Sequence, residues 1–366
     1  MSAAHAALAI ALATAGVVLA SALVALVSLR LWYERRTNGL AYYGLPLAAR
    51  RAFQARCRRI SRWAVPPFRV IAALRPGLPT FWYRGVAGPS GNGSRRSFAR
   101  AAAYAPTAGD VFVATQMKCG TTWMQQLVYE ILSRGRGDLG DRGHRHLYAV
   151  SPWIESRKSV SMEQAPRIGA QNARLIKTHL PARLCPYGEQ AKYIYVAREP
   201  VACFASCVDF LRMLGGPLAG SRSALLDWFC SDRMWWSSWP EHVDGWWRWA
   251  EERPNVLFVH YEGLLEDLGA SVDLVAGFLG VELTPAERAA VVEKSGFDFM
   301  KAHEHLFEMS PPTFLTESEP RYFVSGRRER SGDVGPAERE RILAFCRERL
   351  RGARYPAARF YPELAD

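Results

Sequence analysis

Residues 111–133 read VFVATQMKCGTTWMQQLVYEILS. Val111 to Ala114 form a short apolar, β-favouring run that stops at a polar turn, Thr115 to Gly120. An amphipathic run follows, in which Trp123, Gln126, Leu127, Tyr129, Glu130 and Ile131 sort onto faces at helical spacing. Strand, tight loop and helix in that order aim backbone N–H groups and a helix N-terminus at a phosphate. Gly120 lets the backbone approach closely, Thr121 and Thr122 add hydroxyls at the helix start, and Lys118 brings a mobile cation. The loop is not a Walker A motif, which places its lysine after the second glycine of G-x-x-x-x-G-K-[ST]. On these residues alone, an ordinary strand–turn–helix with threonine caps stays open.

Further apolar, strand-like runs at 174–178, 192–197 and 255–260 alternate with helical patterns. The helical patterns begin after 121 and after 200, and recur at 240–251, 264–279, 286–294 and 336–350. This alternation predicts an α/β fold with three α/β/α layers, a central parallel sheet and ligands at the carboxyl ends of the strands. A chain of 366 residues, 49% hydrophobic, is long enough for one such domain and an appendage.

The appendage lies at the N-terminus. Residues 6–29 carry no charged side chain and exceed the roughly 20 residues that cross a hydrocarbon core. A cleaved signal peptide would want a cationic start and a shorter apolar run, so residues 6–31 read as a retained membrane anchor. Arg30, Arg35 and Arg36 follow the span and no Lys or Arg precedes it, which puts the remainder of the chain on the cytoplasmic side. The net charge of +12 is concentrated here: residues 34–75 hold ten Arg and one acid, Glu34, and the chain from 76 onward carries only about +2. A local basic patch beside a span points to a membrane surface, not to nucleic acid. Residues 47–63, LAARRAFQARCRRISRW, read as a basic helix with Phe53, Ile60 and Trp63 among the arginines, suited to an anionic leaflet, or as a solvated linker. Prolines from Pro66 to Pro79 are expected to break regular structure, and Gly85 to Ser97 reads as a flexible joint. The segment 32–97 is then juxtamembrane and linker, with the catalytic domain over 98–366. Seven scattered cysteines without C-x-x-C or zinc spacing read as reduced thiols.

Three more stretches carry chemistry. In ARLIKTHLP, residues 173–181, extended backbone puts Lys177 and His179 on one face near a strand end. An imidazole there can take a proton, and a lysine can hold developing charge. In YIYVAREPVACFASCVDF, residues 193–210, a strand ends at Arg198, Pro200 suits a first helical turn, and Ser206 falls in the helix that follows. The C-terminal RRERSGDVG, residues 327–335, clusters basic side chains before a turn.

KCGTTW, KTHLP, the Arg198–Ser206 spacing and RRERSGDVG, taken in order, resemble the sulfotransferases that use 3′-phosphoadenosine-5′-phosphosulfate (PAPS). That resemblance spans about residues 98–335. It implies that Lys118, Cys119, Gly120, Thr121 and Thr122 hold the 5′-phosphate, and that Arg198, Ser206, Arg327 and Arg328 hold the 3′-phosphate. Trp123, Tyr261 and Phe297 match the family's adenine-stacking positions. His179 is the implied general base, with Lys118 and Lys177 stabilising charge on the group in transit. PAPS would be the co-substrate and 3′-phosphoadenosine 5′-phosphate (PAP) the product, with no metal. The acceptor would be a small molecule, of a class the sequence does not encode, with Gly215 to Ser223 and Lys301 to Pro320 as loops over its pocket. Oligomeric state is open. Glu329 and Val334 depart from the family's RKGxxGDW pattern, which leaves the backbone contact at 329 in question. Two alternatives stand beside the enzyme: an inactive nucleotide-binding membrane adaptor, and a P-loop kinase, for which GK[ST] and a magnesium carboxylate are missing.

Overall fold

The structure, a computed structural model, describes residues 3–74, 77–140, 146–315, 322–323 and 331–365. Helix α1 (Ala3–Thr37) contains the one stretch among the described residues, Ile10–Thr37, that is long and apolar enough to cross a membrane by length and composition. A short turn of helix, α2 (Leu40–Tyr43), leads to α3 (Leu47–Leu74). Of the prolines expected to break regular structure, Pro66 and Pro67 do not, because they lie inside α3; Pro76 lies outside the described residues, and α3 has ended before Pro79. Phe53, Cys57, Ser61 and Val65, at helical spacing, are buried along one face of α3, and that packing holds the helix together against its prolines. Phe53 thus turns inward, whereas Trp63, 83% exposed, stays outside with Arg51, Arg56, Arg59 and Arg62.

The stretch expected to be a flexible joint is ordered. Strands β1 (Thr80–Tyr83) and β2 (Val86–Pro89) form an antiparallel hairpin in which Tyr83 pairs with Val86. Its two-residue turn, Arg84 (φ 47°) and Gly85 (φ 72°), is left-handed at both positions, as a primed hairpin turn requires. Ser94 then caps α4 (Arg95–Ala102) through a reciprocal bond with Ser97.

The sheet follows: β3 (Asp110–Thr115), α5 (Thr121–Leu132), α6 (Leu147–Val150), β4 (Arg174–Thr178), β5 (Lys192–Ala197), α7 (Pro200–Gly215), α8 (Arg222–Phe229), α9 (Trp239–Glu252) and β6 (Val256–His260). Its strand order is β4-β3-β5-β6, every pair parallel. The chain continues as α10 (Tyr261–Glu266), α11 (Leu268–Leu279), α12 (Pro285–Ser295), α13 (Phe297–Ala302), α14 (Pro336–Leu350) and α15 (Ala357–Phe360). The single helix expected at 264–279 is divided at Asp267, whose carboxylate accepts from the Ala270 N–H and caps α11.

Period-2 alternation sends the two faces of each strand into separate cores. Phe112, Ala114, Ile176, Tyr193 and Tyr195 pack against α7, α9 and α14. Val111, Val113, Leu175, Ile194 and Val196 pack with residues of α5, α11 and α12. The three-layer architecture is therefore present, and the second core also takes in Tyr42, Tyr43, Phe53 and Cys57 from the N-terminal segment.

Candidate active site

The carboxyl ends of β3, β4 and β5 meet at one cavity of about 330 Å³. Lys118, Gly120, Thr121, Thr122, Trp123, Lys177, His179, Arg198, Ser206, Tyr261 and Phe297 all line it. Arg327 and Arg328 lie outside the described residues, as does Glu329. Val334 is described and is buried in the core.

The loop after β3 is built around two left-handed residues, Lys118 (φ 65°) and Gly120 (φ 97°). A side chain at 120 would meet the Tyr261 ring at 2.7 Å, so glycine is demanded by space as well as by backbone. Gly120, not a threonine, is the N-cap of α5, and no side chain caps it. The first N–H groups of α5 have no intrahelical partner, an arrangement suited to an anion. Both threonine hydroxyls already have protein partners, Thr121 with Thr115 at 2.6 Å and Thr122 with the Tyr148 hydroxyl at 3.1 Å. Backbone donors, more than the hydroxyls, thus define the cradle. Arg198 braces it: Nη1 donates to the Lys118 carbonyl at 3.0 Å and the guanidinium lies 4.3 Å from the centre of the Tyr261 ring. Its Nε is buried without a partner, an orphan donor beside the cavity.

Cys119 turns away from the cavity. Its thiol sits 3.6 Å from that of Cys203, and burial pushes it well above the ordinary thiol range. Trp123 donates to the Ser295 carbonyl and meets Tyr261 edge to face at 75°, so these two rings are not parallel plates.

At the end of β4, His179 Nδ1 lies 2.9 Å from the Thr115 carbonyl oxygen. A carbonyl only accepts, so Nδ1 carries the proton and Nε2 keeps a lone pair. Burial first, and Lys177 next, hold this imidazole well below its usual pKa. Lys177 Nζ donates to Tyr148 Oη at 3.2 Å and lies 4.0 Å from the centre of the Trp153 ring. Burial lowers it to about 7, against the opposing pull of Glu155.

Four site residues escaped the sequence reading. Glu155 is buried and accepts from the His179 N–H at 2.7 Å and the Thr178 hydroxyl at 3.0 Å, fixing the strand end. Tyr148 bridges Lys177 and Thr122. Gln116 donates to the Trp235 and Ser237 carbonyls, and Trp236 packs on His179 at 4.8 Å between ring centres. Gln116 falls inside the Thr115–Gly120 turn but carries no pattern of its own, and a buried acid such as Glu155 is visible only once its burial is known. Among the described residues no group of His, Cys, Asp and Glu could hold a metal ion. Apolar side chains complete the cavity: Phe210, Leu211 and Leu214 from α7, and Met309, Pro311 and Leu315 from the segment after α13.

The chain matches the sulfotransferase domain family over residues 108–352. It is 28% identical over 257 residues to rabbit (Oryctolagus cuniculus) sulfotransferase 1C2, covering 66% of this chain and 83% of that protein. Its fold is similar to that of mouse sulfotransferase SULT7A1 complexed with PAP, with a TM-score of 0.61 at 21% identity over 78% of this chain and 98% of that one. Retinol dehydratase in complex with retinol and PAP shares the fold at a TM-score of 0.57 and 20% identity, over 71% and 87% of the two chains.

Proposed function

From the premise that the chain belongs to the sulfotransferase family, we propose that it transfers the sulfonate group of PAPS to a hydroxyl or amine of a small, lipophilic acceptor. One observation carries this reading: Lys118, Lys177, His179, Arg198 and Ser206, from separate strands and helices, line one cavity. The residues suit a doubly phosphorylated nucleotide. The cradle at Gly120 admits no side chain, α5 offers uncapped N–H groups, and Arg198 keeps an orphan donor. PAP in the solved relatives agrees with the choice of nucleotide, and retinol in one of them with a lipophilic acceptor.

His179 Nε2 takes the acceptor's proton as the acceptor oxygen bonds sulfur and the sulfur–phosphate oxygen bond breaks. Lys118 and Lys177 counter the charge that gathers on the departing phosphate. The Thr115 carbonyl holds the imidazole through Nδ1–H, and Glu155 fixes the backbone of the same residue by accepting from the His179 N–H. Buried Lys177, lowered to about 7, is only partly charged near neutral pH until an anion arrives, which ties its full charge to an occupied site. Nothing in this scheme calls on a metal ion. We also assign α1 as a single-pass anchor, with the arginines after it placing the catalytic part on the cytoplasmic side. The outward arginines of α3 lie on the same membrane surface. Radiolabelled PAPS added to membrane extracts containing the full chain should yield one labelled lipophilic product, identified by mass spectrometry. Absence of label transfer together with absence of PAP binding in calorimetry would overturn the proposal.

A further inference from the structure

Trp32 and Tyr33 follow the apolar part of α1 at once, beside Arg30, Arg35 and Arg36. Aromatic and basic residues at the end of a span settle at the membrane–water interface. In this protein those aromatic side chains are joined to the cavity wall. Tyr33 Oη donates to the Pro312 carbonyl at 2.9 Å, and its ring is tilted 52° against Phe314 at 4.8 Å between centres. Trp32 stacks on Phe314 at 6.4 Å. Pro311 and Thr313, the neighbours of Pro312, line the cavity. Lys158, another lining residue, places its ammonium 5.2 Å from the centre of the Tyr33 ring. The apolar end of the cavity is thus tied to the same two side chains that fix the depth of the anchor.

From this juxtaposition we infer that the acceptor is a membrane-resident amphiphile, an alcohol with a long apolar body, drawn into the cavity from the bilayer that holds the enzyme. The inference rests on the sulfonate-transfer reading and adds the acceptor's physical state and its route. An apolar wall facing the interface takes up the hydrocarbon body without passage through water. His179, deeper in the same cavity, meets the hydroxyl end.

The test uses the full chain reconstituted in phosphatidylcholine vesicles with radiolabelled PAPS outside. 1-Eicosanol, whose escape into water is slow, is loaded either into those vesicles or into separate ones, and 4-nitrophenol serves as a soluble comparator. Sharing a bilayer raises the local acceptor concentration, so transfer to eicosanol should be roughly tenfold or more faster in the shared vesicles. Tyr33→Phe removes only the bond to Pro312, and Trp32→Ala removes the stacking on Phe314. Each should lower eicosanol turnover, by up to about tenfold for a lost hydrogen bond, while 4-nitrophenol turnover and PAP affinity stay unchanged. Equal rates from shared and separate vesicles, turnover of 4-nitrophenol alone, or turnover of neither by a protein that binds PAP would overturn the inference. Loss of PAP binding by the unmodified chain would instead fall on the sulfonate-transfer reading.

Discussion

At the nucleotide end of the cavity, position is set by backbone: a left-handed lysine and glycine, an uncapped helix start, and Arg198 bonded to the Lys118 carbonyl. At the acceptor end, position is set by side chains reaching from the N-terminal segment. Tyr43 donates to the Met309 carbonyl, Tyr42 and Gln54 to Glu308, and buried Arg50 to the His305 carbonyl and Glu308. One end is a fixed cradle whose tolerance is measured in tenths of an ångström. The other is a wall assembled from two distant parts of the chain, and its tolerance is measured in whole hydrogen bonds. On the proposed function, the difference separates chemistry from selectivity: the sheet supplies the cradle, and the N-terminal segment shapes the loop at the other end of the cavity.

If that separation holds, the largest effect belongs to the group that serves transfer alone. His179→Ala should cut turnover by ~10²–10⁴-fold, the usual contribution of a positioned base, with PAP affinity in calorimetry little changed. Substantial residual activity would remove His179 from the mechanism. Next comes the cradle itself. Gly120→Ala puts a Cβ against Tyr261 and in a left-handed conformation that costs an L-residue roughly 1–2 kcal/mol. PAP affinity should fall at least tenfold, and the acceptor KM at saturating PAPS should not move. A smaller effect tests the opposite end. Tyr43→Phe deletes the hydroxyl bonded to Met309, a cavity residue, at a cost of roughly 0.5–1.5 kcal/mol. The acceptor KM should rise by no more than about tenfold while PAP affinity stays level. A matching loss of PAP affinity would show that the two ends are not separable.

The same division explains what could be read from the sequence. Lys118, Gly120, Lys177, His179, Arg198 and Ser206 sit at fixed offsets from strand ends, so their convergence on one cavity was visible along with the strands that carry them, whereas their phosphate and transfer roles came from the family resemblance. The acceptor wall demands only apolar surface, which many residues supply. The N-terminal segment was misjudged at three places for physical reasons. The turn Arg84–Gly85 lacks the Asn-Gly signal of a primed hairpin, and Pro66 and Pro67 are tolerated because the inner face of α3 is packed. Phe53 was grouped with the outward basic face because sequence shows a helix's period but not which neighbour covers it. Glu155 and Tyr148 act through burial and through bonds to residues more than twenty positions away, and no local pattern encodes either.

The smallest effect is a proton. Free Lys177 is lowered to about 7 by burial, so near neutral pH it is about half charged. Lys118 lowers it further and Glu155 raises it. A bound phosphate or sulfonate adds negative charge beside the ammonium and raises its pKa again, so binding takes up a proton. At pH 7 the uptake should be about half a proton, growing toward one by pH 8.5. The sign follows: PAP affinity falls as pH rises above about 7, by up to tenfold for each unit once the free lysine is neutral. Below pH 7 the nucleotide's own phosphates begin to protonate, since their second pKa is ≈ 6, and the trend reverses. Calorimetric titrations of PAP at pH 7.0 and 8.5, in buffers of different ionisation enthalpy, give the uptake directly. Lys177→Met should abolish it and flatten the pH dependence, whereas Tyr43→Phe should leave both intact. Equal proton uptake in the Lys177→Met protein would place the titrating group elsewhere and end the assignment of Lys177 as a charge that switches on with the nucleotide.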